Sequence, residues 1–549
     1  MLNIYVKGQT YLEPTLLRDI NPTMNPFFTD LKTVGDEVFF FAADSIYNSM
    51  LWASDGTPEG TRVVKEINPG SNADVWTTQH DLSTSVIGMR DTTYFFAYRN
   101  DIGYELWKSA GHDSNTVLVK DINPGPGSAL PISNTIVRIQ PTLFQDKLYF
   151  VAFSPDLGYE VWRTDGSTEG TIPISAIPGN GTDLNPVYLQ VVDDRLFFAV
   201  DTWSTTEPGA FFASDGTAEG TVQFSNLIPS HLTPSGSFNF YKVGEWIYFT
   251  ARETGDGHDE LYRVKSDLSV VELFYDFNGE NEGNPENFTP ANGGFILNAR
   301  HNSFGDASNI TLLCNGSINT AQSLLNANGE IMEIGGGLIG WNNRLLMEAG
   351  NDSLYVTDGT VGSLTNLGLA GEIGGLDLLG LSADFLVYGE YLIFIFSDDN
   401  YTYLMMTDGT AQGTFPLMNP ENWKPLDDMA LLGNKLIINL VDEQADPGYP
   451  ELYSINLEDL PLGNSSTITS ESGTLVYPNP STGRFWLSNC KAGSEVVLRS
   501  LMGLELGRYI ADKKGQIEID AQLMSGIYLL CWSHPYKSKP CYSKVVLMR

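Results

Sequence analysis

Short apolar runs recur along the whole chain: EVFFFAAD (37–44), KLYFVAF (147–153), RLFFAV (195–200), WIYFTAR (246–252) and YLIFIF (391–396). They are too short for buried helices and rich in aromatic and β-branched residues, so they predict strands. Neighbouring side chains within them are both apolar, which predicts sheets covered on both faces. A second set follows each run, as in ELW (105–107), EVW (160–162) and ELY (260–262, 451–453). A third follows that one, as in TRVVKEI (61–67) and TVLVKDI (116–122), and weaker strands such as TDLKTVG (29–35) and VYLQVVDD (187–194) precede the first. The pattern predicts four short antiparallel strands per unit and no helical segment.

These units form one internal repeat. LWASDGTPEGT (51–61), VWRTDGSTEGT (161–171), FFASDGTAEGT (211–221) and LMMTDGTAQGT (404–414) share one register, and LYVTDGT (354–360) is a shorter copy. Fainter copies stand at 105–111, 260–266, 311–317 and 451–457, giving a period of about 50 residues. Within each copy Asp-Gly is turn chemistry: the carboxylate accepts backbone N–H groups two residues on, and Gly takes a positive φ. The last unit supplies three strands and lacks a fourth, while PTLLRDINP (14–22) near the N-terminus is an orphan copy of that fourth strand. An all-β fold follows: a β-propeller of about nine four-stranded blades closed by N- and C-terminal strands. Eight blades is the alternative, because the copies between 260 and 330 are degenerate.

The repeats resemble the ELWxxDGT repeat of exported proteins from Bacteroidota, with GTxxVKDINPG following, over residues 14–457. That resemblance implies secretion and a propeller-like array, and no particular activity. After a Ser/Thr-rich stretch at 461–473, residues 474–549 show period-2 alternation and predict a small β-sandwich. This segment resembles the type A sorting domain of the type IX secretion system. The matching residues are Tyr477, Pro478, Asn479, Pro480, Gly483 and Phe485, then Gly503, then Gly526 and Tyr528, then Lys544. The resemblance implies that the translocon and its sorting and cleavage machinery read this domain, and that the cargo is secreted or attached to the outer surface. Domains are expected at 1–460 (propeller), 461–473 (linker) and 474–549 (sorting domain). The pathway calls for a signal peptide, and the start MLNIYVKGQTYLEP lacks the apolar stretch of one, so a leader is expected to be missing or removed.

Charge sharpens the division. The chain carries −36 overall, with 67 acidic against 31 basic residues. From Leu475 onward there are ten Lys and Arg against five Asp and Glu, a net +5, which leaves −41 for the remainder. Such a field repels nucleic acid, which excludes it as a partner. No run of 18 apolar residues predicts a transmembrane helix. Four cysteines include no CxxC pair; Cys490, Cys531 and Cys541 cluster near the end, where one disulfide and three reduced thiols are both open readings.

Candidate chemistry is sparse. Six histidines form no metal-binding pair at helical spacing. Asp55, Asp165, Asp215, Asp358 and Asp408 recur in one register and are weak calcium candidates; the competing reading is that each caps its own turn. No cofactor is expected beyond that calcium. No catalytic constellation is recognisable, so the chain is expected not to be an enzyme. The expected function is a non-enzymatic binding or interaction module with a glycan or other surface ligand. The alternative is an extracellular polysaccharide hydrolase or lyase on a propeller scaffold.

Overall fold

The apolar runs at 37–44, 147–153 and 195–200 are each the second strand of a four-stranded antiparallel sheet, and those at 246–252 and 391–396 lie in five-stranded sheets where two short strands share one edge of the run. In the first unit the strands are Thr29–Val34, Glu37–Ala43, Ser49–Ser54 and Arg62–Lys65, paired in chain order. In this computed structural model the chain divides into two compact units, Met1–Leu460 and Pro461–Arg549. The structure describes residues 11–547 apart from 69–85, 131–140, 176–183, 301–308, 324–333, 374–384, 461–474, 478–483, 533–540 and shorter stretches elsewhere.

Among the described residues the first unit holds nine antiparallel sheets, seven of four strands and two of five, and the fold is a β-propeller. The blades span 29–65, 87–120, 142–173, 184–223, 232–275, 286–323, 334–370 and 372–416. The ninth combines Trp423–Leu432, Lys435–Asp442 and Pro450–Asn456 with Thr15–Arg18 from near the N-terminus. The degenerate copies between 260 and 330 therefore form full blades, and nine is the count.

Blade stacking explains why both sheet faces are apolar. Phe39 and Phe41 of blade one pack on Phe95 and Ala97 of blade two, while Phe40 and Ala42 on the opposite face pack on Ile437 of blade nine. The same alternation carries blade two onto three and three onto four. Tyr149, Phe150, Phe197 and Phe198 are fully buried as a result. Blade nine against blade one closes the ring.

First strands of adjacent blades lie against one another, so they are the inner strands of the ring. Several are bulged. Thr29 pairs Phe41 but Lys32 pairs Phe39, an extra residue on the inner strand, and the same shift falls between Val187 and Gln190 and between Glu286 and Thr289. A bulge raises local twist, which suits strands that converge on an axis. Outer strands are short, as with Ile172–Pro173 and Val222–Gln223, which blunts their exposed edges.

Among its described residues the second unit holds seven strands in two antiparallel sheets. Leu475–Tyr477, Arg484–Ser488 and Ile517–Asp520 form one; Glu505–Ile510, Glu495–Ser500, Gly526–Trp532 and Cys541–Leu547 form the other. Val496, Leu498, Ile517 and Ile519 are buried within it.

Candidate functional site

The repeated turn follows from its residue types. Asp55 Oδ1 accepts the Thr57 amide at 2.9 Å and the Thr57 hydroxyl at 2.6 Å. The Thr57 hydroxyl oxygen accepts the Gly60 amide at 3.0 Å, and Thr61 donates to the Thr57 carbonyl. Asp165 with Ser167, Asp215 with Thr217, and Asp408 with Thr410 repeat this arrangement within 0.1 Å. Behind each turn a hydroxyl pair at 2.7 Å joins the third strand to the outer one: Ser54 with Thr61, Thr164 with Thr171, Ser214 with Thr221, Thr407 with Thr414. Blade two has lost the Asp, and Asn115 Oδ1 takes the amides of Ala110 and His112 in its place.

The hydroxyl bond from residue i+2 holds the carboxyls of Asp55, Asp165 and Asp215 below the usual carboxylate range. These aspartates are therefore committed to their own turns as anions. Asp358 differs: its amide donates to the Ser363 hydroxyl. The five stand on five separate blades, and among the described residues no group of three or more His, Cys, Asp or Glu is placed to hold a metal. Calcium and magnesium at matched ionic strength are accordingly expected to raise the melting temperature alike, through screening of the acidic ring. A calorimetric melt in chelator, followed by each cation in turn, checks this.

Two further repeated devices carry more of the structure, and sequence reasoning passed over both. The first is the glutamate of the ELW copies. Glu105 is fully buried, and its two oxygens accept the amides of Ile122 at 2.9 Å and Asn123 at 3.0 Å. Glu260 accepts the Phe277 amide at 2.9 Å, and Glu451 the Ile20 amide at 2.8 Å. Glu160 accepts from the Ser175 hydroxyl, which accepts the Val161 amide. Each carboxylate thus ties the start of the third strand to the end of the outer one. Burial pushes Glu105 up to about 7 and Glu451 up to about 8. Its signal was present: Glu stands in one register in YELW, YEVW, DELY and PELY.

The second device latches neighbouring blades. Lys435 of blade nine donates to the Gly56 carbonyl of blade one at 2.7 Å. Arg62 of blade one reaches the Gly111 carbonyl of blade two, Lys108 of blade two the Gly166 carbonyl of blade three, and Arg163 of blade three the Gly216 carbonyl of blade four. Arg344 of blade seven donates to the Asp408 carbonyl of blade eight. In three of these contacts the acceptor is the carbonyl of the Asp-Gly glycine, so the turn that ends one hairpin is also the docking point for the blade beside it.

In the C-terminal unit, Tyr477 pairs Trp486 and Phe485 pairs Ile519 in one sheet. In the other, Gly526 pairs Leu547, Tyr528 pairs Val545 and Leu529 pairs Lys544. Cys531 stands opposite Tyr542, and Cys541 opposite Trp532. Pro478, Asn479, Pro480, Gly483, Gly503 and Cys490 lie outside the described residues, as does the stretch 461–473. No helix among the described residues is long and apolar enough to cross a membrane.

No protein-family model matches this chain, and no curated protein matches it. Solved structures do. PorZ, an essential bacterial surface component of the type IX secretion system of Porphyromonas gingivalis, is 13% identical, with 95% of this chain and 81% of that chain covered and a TM-score of 0.24. Dipeptidyl peptidase 4 of P. gingivalis is 10% identical over 79% of this chain and 67% of that one, with a TM-score of 0.40. An oligogalacturonate lyase in complex with manganese is 10% identical over 77% and 97%, with a TM-score of 0.34. At these identities the likeness concerns the fold alone.

The matches correct one expectation from the sequence, that the chain is not an enzyme. Peptidases and a lyase stand among the solved structures it resembles. The physical reason is that residues from different blades meet at a propeller face without any fixed spacing along the chain, and one fold hosts many chemistries.

Proposed function

We propose that this chain is an exported protein, displayed at the cell surface or released, whose C-terminal unit at 474–549 is an address read by the type IX translocon and its sorting machinery. The propeller at 1–460 is its cargo and presents loops to a glycan or another surface ligand. The observation that carries this reading is the C-terminal unit itself. Tyr477 and Phe485 lie on paired strands of one sheet, and Gly526, Tyr528 and Lys544 on paired strands of the other. That unit has its own buried residues and carries +5 against −41 for the rest, which suits a separable module with its own partner.

The test fuses residues 460–549, behind a signal peptide, to a fluorescent reporter in a host that has this secretion system. The reporter is expected on the outer surface or in the medium; a reporter that stays in the periplasm refutes the assignment. For the propeller, a glycan array followed by product analysis reads binding and turnover in one experiment.

A further inference from the structure

Among the described residues Trp52, Trp107, Trp162 and Trp341 are buried, and two other tryptophans are only partly covered. Trp246 lies under the Arg263 guanidinium at 3.9 Å. Trp423 meets Tyr453 edge-on at 5.1 Å and is the first residue of the inner strand of blade nine. Among the described residues no other blade opens on an aromatic one.

The fold puts Trp423 at one inner rim of the ring. Its strand runs from Trp423 to Leu432, and Lys435, just past the far end, reaches the Gly56 carbonyl of the Asp-Gly turn of blade one. The Asp-Gly turns therefore mark that far end, and Trp423 stands at the opposite one. Local hydrogen bonds fix it there. The Asn419 side chain accepts the Glu421 amide, and the Asn419 carbonyl accepts the amides of Asn422 and Trp423, each at 3.1 Å. The hairpin after the second strand is joined to this turn: the Glu443 amide donates to the Asn422 carbonyl at 2.9 Å, and the Gln444 side chain to the Glu421 carbonyl at 3.3 Å. Tyr453 is buried in the apolar cluster between blades eight and nine, on which the indole packs.

Acidic groups surround this indole. Asp442 stands opposite Trp423 in the ladder, and Glu421 and Glu443 are exposed beside it. Lys424 is the one cationic residue in the segments 419–424 and 442–445. Tyr11 lies near enough to Glu421 for that charge to add to burial in raising its phenol. A partly open indole among carboxylates has the chemistry that holds an ammonium group: the ring attracts the cation and the carboxylates neutralise it. The same charges repel uronic and sulfated sugars.

We propose that Trp423, with Glu421 and Asp442, forms a binding site for a glycan of amino sugars that carry free ammonium groups. This rests on the reading of the propeller as a glycan binder and adds the place and the charge of the ligand. The indole stacks on a pyranose ring, and the ammonium group on the sugar meets the carboxylates.

The test is calorimetric titration of the full chain with a glucosamine hexamer, its N-acetylated form and a galacturonic acid hexamer. It is run at mildly acidic pH, where the amines are charged, and at about 0.15 M salt. The glucosamine hexamer is expected to bind about tenfold more tightly than its N-acetylated form, and the galacturonic acid hexamer not at all. Trp423→Ala is expected to lose about tenfold. Glu421→Lys is expected to lose about as much, and this exposed position keeps the test decisive should the Ala variant fail to fold. Glu59→Lys makes the same charge change in the Asp-Gly loop of blade one, at the other end of the ring, and is expected to bind as the native chain does. Equal binding of the two glucosamine probes refutes the site, as does native affinity in a folded Trp423→Ala or a loss in Glu421→Lys no larger than in Glu59→Lys. A glycan array separates the two levels: a ligand whose binding Trp423→Ala leaves unchanged overturns this site alone, and an array with no ligand overturns the glycan reading with it.

Discussion

Glu105→Ala is expected to destabilise the propeller by about 3 to 5 kcal/mol, the largest single-residue loss foreseen here. Two backbone amides, those of Ile122 and Asn123, end on this carboxylate, and the residue is fully buried. Removing it leaves two buried donors unmet, at about 1 to 3 kcal/mol each, plus a small cavity. Thermal or denaturant unfolding of the full chain measures the loss.

The pH dependence follows from the same residue. Burial, with Asp121 nearby, outweighs the two amide bonds and pushes Glu105 up to about 7. A raised carboxyl favours the folded state most below its unfolded value of about 4.5, and that contribution is lost as pH rises through about 7. The melting temperature of the native chain is thus expected to fall between pH 5 and 8. Glu105→Ala should show a shallower fall, because the titrating group is gone.

Gly170→Ala is expected to cost about 2 to 4 kcal/mol, and its cause is crowding. A Cβ at Gly170 would stand 2.1 Å from Asp165 Oδ1, so the carboxylate must leave the turn. With it go the bonds from the Ser167 amide and hydroxyl, and the Gly170 amide bond to the Ser167 oxygen is disturbed. Three hydrogen bonds at about 1 kcal/mol each, two of them to a charged acceptor, set this scale. Gly125→Ala is the control: its φ is +94° and nothing lies within 4 Å of a new Cβ, so only backbone strain of about 1 to 2 kcal/mol is expected. Equal losses at the two glycines would mean that the Asp turn contributes little.

Much of this architecture is written locally. Apolar runs with both faces filled require stacked sheets, and the Asp-Gly turns carry their hydrogen-bond partners within six residues. Even the closing strand at Thr15–Arg18 was legible, because it copies the outer strand that blade nine lacks. The degenerate blades were harder. Blade two replaces its turn aspartate with Asn115, which reaches the equivalent amide of His112 from the other side of the loop and leaves no Asp-Gly to read.

What tertiary structure alone decided are the contacts that join one blade to another and one end of the chain to the other. Glu451 meets Ile20 across 431 residues, and Lys435 meets the Gly56 carbonyl across 379. Neither spacing recurs, since it is set by where the ring closes. Arg62, Lys108, Arg163 and Arg344 look like ordinary surface cations in sequence, because their acceptors are backbone carbonyls, which every residue has. A side chain's partner is encoded locally only when strand or turn geometry fixes the separation. When packing of whole sheets brings the partner, the sequence shows a Lys, an Arg or a Glu, and only the closed ring shows what it holds.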